Sequence, residues 1–194
     1  MENKKHGQIM ETARQLFWRY GFKRVTVEEI CSDAGVSKMT FYKFFPNKIA
    51  LALEILGRFY ESAMAQYRGI MDSDRPFPEK VQQTISMKLE NAKGISQELV
   101  NELYKSGEPA IMDFVRHWSE RSLTVIMQDI RSWQAGGLIR KDLKPEFLMQ
   151  LMSKITDLTT DEHFTTLYAN PAEMVNDLAN FFFYGLMPLN TDRR

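Results

Sequence analysis

Between Thr26 and Lys48 the chain starts and stops helices within a few residues, and few folds accommodate that. Thr26-Val27-Glu28-Glu29 is a capping box, in which the threonine hydroxyl takes a first-turn amide while the glutamate reaches back to the cap residue's own N–H. Ala34-Gly35 ends this helix after about two turns, glycine being the natural left-handed residue at a helix stop. Ser37 is placed to cap a second short helix, and Pro46 ends that one. The pattern therefore predicts helices at about 27–34 and 37–44, joined sharply by Asp33-Ala34-Gly35-Val36, a helix-turn-helix. Neither helix buries a core alone. Val27, Ile30, Val36 and Phe41 are positioned to pack the pair against Leu16 and Phe17 of the helix before it.

That first helix shows apolar residues at helical spacing (Ile9, Ala13, Leu16, Phe17, Tyr20) and stops at Gly21. After Pro46, Asn47 caps a long helix through Leu51, Ile55, Phe59 and Ala63. The turn-rich stretch 72–78 interrupts, and helices are predicted at about 79–92, 96–105, 109–135, 145–160 and 171–187. No run of β-branched residues alternates as a strand does, so the expected fold class is all-α. The expected organisation is a three-helix N-terminal head, residues 1–48, and a helical body, residues 49–194.

Composition narrows the function classes. In the 194 residues, 44% hydrophobic and 26% charged, there is the material for a sizeable core, and disordered or low-complexity classes are excluded. A single cysteine, Cys31, excludes an internal disulfide framework and is expected as a small buried hydrophobe. No apolar run approaches the roughly 18 residues of a membrane span. The first residues lack the apolar stretch of a secretory signal, so a cytoplasmic protein is expected. The formal net charge of zero hides an asymmetry: residues 1–48 carry nine Lys/Arg against five Asp/Glu, and the remainder 16 against 20. A basic head on a mildly acidic body suits nucleic-acid binding at one end.

Packing Phe41 inward leaves the opposite face of the second short helix free, and a helix is about as wide as the DNA major groove. That face offers Lys38, Met39, Tyr42 and Lys43. Thr26, Ser37 and Thr40 are short hydroxyl donors suited to phosphates, and Lys48 opens the next helix, whose free amides form an anion site. The string from Thr26 through Ala34-Gly35-Val36-Ser37-Lys38-Met39-Thr40-Phe41-Tyr42-Lys43-Phe44-Phe45-Pro46-Asn47-Lys48 closely resembles the DNA-binding signature of the tetracycline-repressor family of bacterial transcription regulators. Upstream, Ala13, Leu16-Phe17 and Tyr20-Gly21-Phe22 sit where that family's first helix has them, so the resemblance spans about residues 9–56. It implies base or nearby phosphate contact for Lys38 and Met39, and phosphate contact for Thr40, Tyr42 and Lys48. Lys43 takes a variable base-or-phosphate position. Met39 and Phe44 depart from the commoner pattern, where a small residue and a His or Tyr usually stand.

The resemblance further implies a homodimer, a double-stranded DNA operator and a small-molecule effector held in the body, with no cofactor. For the dimer interface the last two helices supply Phe147, Leu151, Ile155, Leu178, Phe181 and Phe182, the final helix being apolar around most of its circumference. For an adaptable apolar pocket the candidates are Phe59, Met64, Tyr67, Met87, Tyr104, Met112, Phe114, Trp118 and Met127. The spacing of Asp157 and Asp161 near His163 invites a metal reading, but no second histidine lies four residues away, and none is expected. No Ser–His–Asp set, phosphate-cradling glycine loop or paired catalytic carboxylate is present, so an all-helical enzyme is the weaker reading. A co-regulator that has ceased to bind DNA is another alternative, and the intact Tyr42, Lys43 and Lys48 argue against it.

Overall fold

The structure, a computed structural model, describes residues 2–158 and 161–187. Among these every regular element is helical. In chain order they are α1 (Glu2–Tyr20), α2 (Val27–Asp33), α3 (Lys38–Phe44), α4 (Lys48–Met71), α5 (Phe77–Ala92) and α6 (Gln97–Asn101). A π-helical turn (Glu102–Ser106) follows, then α7 (Pro109–Ala135), α8 (Pro145–Leu158), α9 (Glu162–Thr165) and α10 (Pro171–Leu186). The chain divides into two compact units, Met1–Ala63 with Gly94–Trp118, and Met64–Lys93 with Ser119–Arg194. The first unit thus takes in α4 as far as Ala63, α6, the π-turn and the start of α7 beside the expected head.

The first unit is organised by its caps. At α2 the Glu29 amide donates to Thr26 Oγ1 (3.1 Å) and the Thr26 amide donates to Glu29 Oε2 (2.7 Å), so both halves of the capping box form. Gly35 takes φ +63° in the turn between α2 and α3, a conformation that costs a residue with a Cβ about 1–2 kcal/mol. Ser37 Oγ accepts the Thr40 amide (3.1 Å) at α3, and Asn47 Oδ1 accepts the Ala50 amide (2.8 Å) at α4. With their ends satisfied, these short helices bury Ile30, Phe41 and Phe45 on Ile9, Ala13 and Phe17 of α1 and Leu51 and Ile55 of α4. Leu99, Ile111 and Val115 join the same core. Cys31 is buried in it, and burial pushes its thiol above the ordinary range.

The second unit has a separate core of Ile130, Ile139, Leu148, Phe182 and Leu186, against which Trp133, Leu151 and Ile155 pack. Gln134 donates to the carbonyls of Arg140 and Leu143 (3.1 and 2.8 Å), closing the loop after α7. The Asp129 carboxylate accepts from the Tyr67 hydroxyl (2.7 Å) and the Arg68 guanidinium (2.9 Å). Burial together with this carboxylate pushes the Tyr67 phenol well above its usual range, so it stays a donor.

Three departures from the sequence expectation have local causes. Helix α1 starts at Glu2, well before Ile9, because the polar turn around His6 continues the helix without an apolar stripe. The helix expected at 96–105 breaks into α6 and the π-turn. The turn closes on Gly107, where a Cβ would lie 1.7 Å from the Glu102 carbonyl oxygen. The helix expected from Pro145 is present through Leu158, and its expected last two residues, Thr159 and Thr160, lie outside the described residues. Finally, Asp161 accepts the Phe164 amide (2.7 Å) and opens the four-residue α9, too short for any periodicity to announce.

Candidate nucleic-acid interface

Phe41 and Phe45 are 0% and 2% exposed, which turns the opposite side of α3 outward. Residues 38, 39, 42 and 43 fall one turn apart in two adjacent rows and form a single face. Met39 is 84% exposed and Tyr42 54%, an unusual outlay of large apolar surface for a helix of seven residues. The Tyr42 ring rests edge-on against Phe41 (5.3 Å between centroids), which fixes its direction while its hydroxyl reaches outward. Lys38 and Lys43 flank it, both exposed. Lys38 forms an ion pair with Glu28 of α2, which raises the lysine and lowers the glutamate from their ordinary values.

The hydroxyls proposed for phosphate contact have local duties. Thr26 Oγ1 donates to Glu29 Oε2 (2.9 Å) as well as accepting the Glu29 amide. Ser37 Oγ is hydrogen-bonded to Thr40 Oγ1 (3.0 Å) besides accepting the Thr40 amide. Lys48 is turned inward. Its ammonium donates to the carbonyls of Phe22 (2.8 Å), Val25 (2.7 Å) and, more weakly, Lys23 (3.4 Å), and lies over the Phe22 ring. Desolvation holds it below the ordinary lysine range, against the pull of Glu102 and Glu29. This lysine therefore fastens the turn between α1 and α2. The sequence pattern also conceals Arg19 and Arg24, whose guanidinium carbons lie 5.0 and 4.7 Å from the Tyr20 ring centroid. Basic and aromatic residues interleaved over 19–24 were the available signal.

The candidate effector residues are divided between the units. Phe59, Tyr104, Met112, Phe114 and Trp118 belong to the first; Met64, Tyr67, Met87 and Met127 belong to the second. Phe59 meets Trp18 edge-on (5.6 Å) and Phe114 lies near the buried Trp118 (6.3 Å), whereas Tyr104 is 48% exposed. None of the nine lines the narrow cavity inside the first unit, whose walls include Trp18, Phe22, Ile55, Leu99, Glu102 and Glu108. At about 10 Å³ that cavity has room for one water. Of the interface candidates, Phe147 (53%) and Phe181 (76%) are exposed, together with Tyr184 (66%). Leu151, Ile155 and Leu178 are half-buried, and Phe182 lies in the second unit's own core.

An N-terminal three-helix head whose third helix, α3, faces outward and bears an exposed aromatic ring is the arrangement of a helix-turn-helix DNA-binding head. Residues 9–55 match the model of the bacterial regulatory proteins of the tetR family. It is 27% identical over 149 residues to the HTH-type transcriptional regulator YhgD of Bacillus subtilis, covering 76% of this chain and 78% of that one. Over 71 residues it is 32% identical to the transcriptional repressor KstR2 of Mycobacterium tuberculosis, covering 37% and 36% of the two chains. The structure of KstR2, described as a ketosteroid transcriptional regulator, has the same fold (TM-score 0.65, 18% identity, 95% of both chains). So does a Saccharomonospora viridis protein in complex with choline (TM-score 0.77, 22% identity, 96% of this chain and 100% of that one). The chain thus resembles tetR-family transcriptional regulators in its head and shares the fold of these neighbours. Among the described residues no helix is long and apolar enough to cross a membrane.

Proposed function

We propose that the chain is a homodimeric repressor that leaves a palindromic operator when a small hydrophobic or amphipathic effector occupies its C-terminal part, residues 49–194. The observation that carries the reading is the α3 face: Lys38, Met39, Tyr42 and Lys43 outward, Phe41 inward. In the proposed complex each subunit lays α3 in a major groove, and two-fold symmetry sets the half-sites about one helical turn, ~34–36 Å, apart. Met39 reads a thymine methyl or a base face. Tyr42, Thr40 and Lys43 meet the backbone, and Thr26 and Ser37 keep the helix ends in register. Lys38 exchanges Glu28 for DNA cheaply, since an ion pair exposed to solvent is weak.

Effector binding shifts the dimer population toward a head separation that no longer fits the operator, and a coupling of ~1–3 kcal/mol suffices. One fold neighbour is described in complex with choline, and another is described as a ketosteroid transcriptional regulator. In this chain the thioethers of Met64, Met87, Met112 and Met127 with Phe59, Tyr67, Tyr104, Phe114 and Trp118 suit an apolar or amphipathic one. The protein then acts in the cytoplasm, where its operator is.

Selection of genomic fragments on purified protein tests this, beside a Tyr42→Ala/Lys43→Ala control. One palindromic site recovered by the wild type and lost by the control is the expected result; no enrichment over the control at any salt concentration overturns it. The dimer has its own test. Phe147, Phe181 and Tyr184 expose apolar surface on α8 and α10, and a charge placed there meets its symmetric copy across a two-fold interface. Phe181→Glu is therefore expected to sediment with the mass of one chain at concentrations where the wild type has twice that mass. An unchanged mass for the variant removes α10 from the interface.

A further inference from the structure

Within the first compact unit, the segment from Ile95 to Ser106 fastens itself to the end of α1 at three points. The Ser96 amide donates to the Trp18 carbonyl (2.8 Å), one of the last-turn acceptors that α1 leaves open. Leu99 is buried in the core of the unit. The Glu102 carboxylate accepts the amides of Phe22 and Lys23, the latter at 3.1 and 3.2 Å from its two oxygens. These amides open the turn that leads from α1 to the cap of α2. The carboxylate is seated closely: at Gly21 (φ +79°) an added Cβ would lie 3.0 Å from Glu102 Oε1. Its backbone belongs to the π-turn, which only a glycine at 107 permits. From the other side Lys48 takes the carbonyls of the same turn, and the two charges attract. Residues 22–25 are therefore gripped by a carboxylate on their amides and an ammonium on their carbonyls.

We infer that Glu102 is a positioning residue for DNA recognition: through the Phe22 and Lys23 amides it sets the direction in which α2 and α3 leave α1. The inference deepens the DNA-binding reading and rests on it. Glu102 is separated from the turn by about 80 residues of chain, so it ties the recognition helices to a segment that shares no sequence with the head. Charge-assisted hydrogen bonds are about twice as strong as neutral ones, and a part-buried amide left unpaired is costly. Removing the carboxylate loosens the turn without touching any residue of the α3 face.

The sign of the effect separates this role from simple electrostatics. Deleting a negative charge favours binding to DNA, whereas loss of positioning weakens it. Glu102→Leu is expected to lower affinity for the selected operator about tenfold at fixed salt, with Glu102→Gln, which keeps one acceptor oxygen, in between. The slope of affinity against salt stays at the wild-type value, because no phosphate contact is lost. Gly107→Ala, which displaces the π-turn with the carboxylate intact, shifts affinity in the same direction. Amide hydrogen exchange gives a readout independent of DNA. Phe22 and Lys23 lose protection about tenfold in Glu102→Leu while Ile30, inside α2, keeps its own. Affinity within twofold of wild type, or affinity that rises, overturns the assignment. So does loss of protection that spreads to Ile30, which makes Glu102 a general stabiliser of the head. Failure of the wild type to bind any fragment strikes the regulator reading itself and is seen before any variant is made.

Discussion

Phe41→Ala is expected to lower the unfolding free energy of the first unit by about 3–5 kcal/mol. Few residues in the chain have so much to lose. Phe41 is fully buried, lies 5.7 Å from the Phe45 ring and 5.3 Å from Tyr42 between centroids, and belongs to the core that joins α1, α2, α3 and α4. Alanine removes the ring and leaves a cavity. A seven-residue helix anchored by one large residue has little else with which to close it. Against a typical stability of ~5–15 kcal/mol the loss is a large fraction of the whole. Urea denaturation followed by circular dichroism should show a separate early transition with the slope unchanged. Phe41→Leu, which keeps most of the volume, should stay within about 1.5 kcal/mol of wild type. A midpoint for Phe41→Ala indistinguishable from wild type contradicts the packing described for α3.

That the head was legible from its sequence, while the residues holding it in place were not, follows from the range of the interactions. Capping is local: Thr26 with Glu29, Ser37 with Thr40 and Asn47 with Ala50 each act over three residues, so the cap residue types announce the helix ends directly. Phe41 inward and Tyr42 outward follow from helical spacing once the ends are known. Helix α7 runs from Pro109 to Ala135 as expected, because proline opens it, an apolar stripe persists and two glycines close it. Glu102 has no such signal. It meets Phe22 and Lys23 across some 80 residues, and an isolated glutamate in a polar stretch looks like any solvated charge. The inward turn of Lys48 is equally hidden, since a lysine at a helix start suits a phosphate and a carbonyl cluster alike. At the N-terminus His6 packs its ring on Phe45 (4.9 Å) and approaches Glu54 (3.3 Å), long-range contacts that extend α1 where no apolar stripe predicts it.

The salt dependence of operator binding is the second large effect, and it distinguishes two states of Lys48. If each subunit neutralises about four phosphates, the slope of log affinity against log salt is about −7 for the dimer. Affinity then falls by about 10⁴ between 50 and 200 mM salt. Reaching that value requires the Lys48 ammonium to leave the carbonyls of Phe22 and Val25, to which it donates. If it stays, two cations per dimer drop out and the slope falls to about −5. Lys48→Met separates the cases: it lowers the slope toward −5 if the ammonium moves to DNA, and leaves the slope alone if it does not. Lys43→Ala removes one cation from each α3 face and lowers the slope by about 2 in either case. Adding Tyr42→Ala leaves the slope where Lys43→Ala put it, because the phenol is neutral. It removes an exposed ring held in direction by Phe41, once in each subunit. At about 1 kcal/mol for each of the four side chains lost, the doubly substituted dimer binds about 10³-fold more weakly. A flat salt slope removes the phosphate assignments, and a double variant with wild-type affinity moves recognition away from α3.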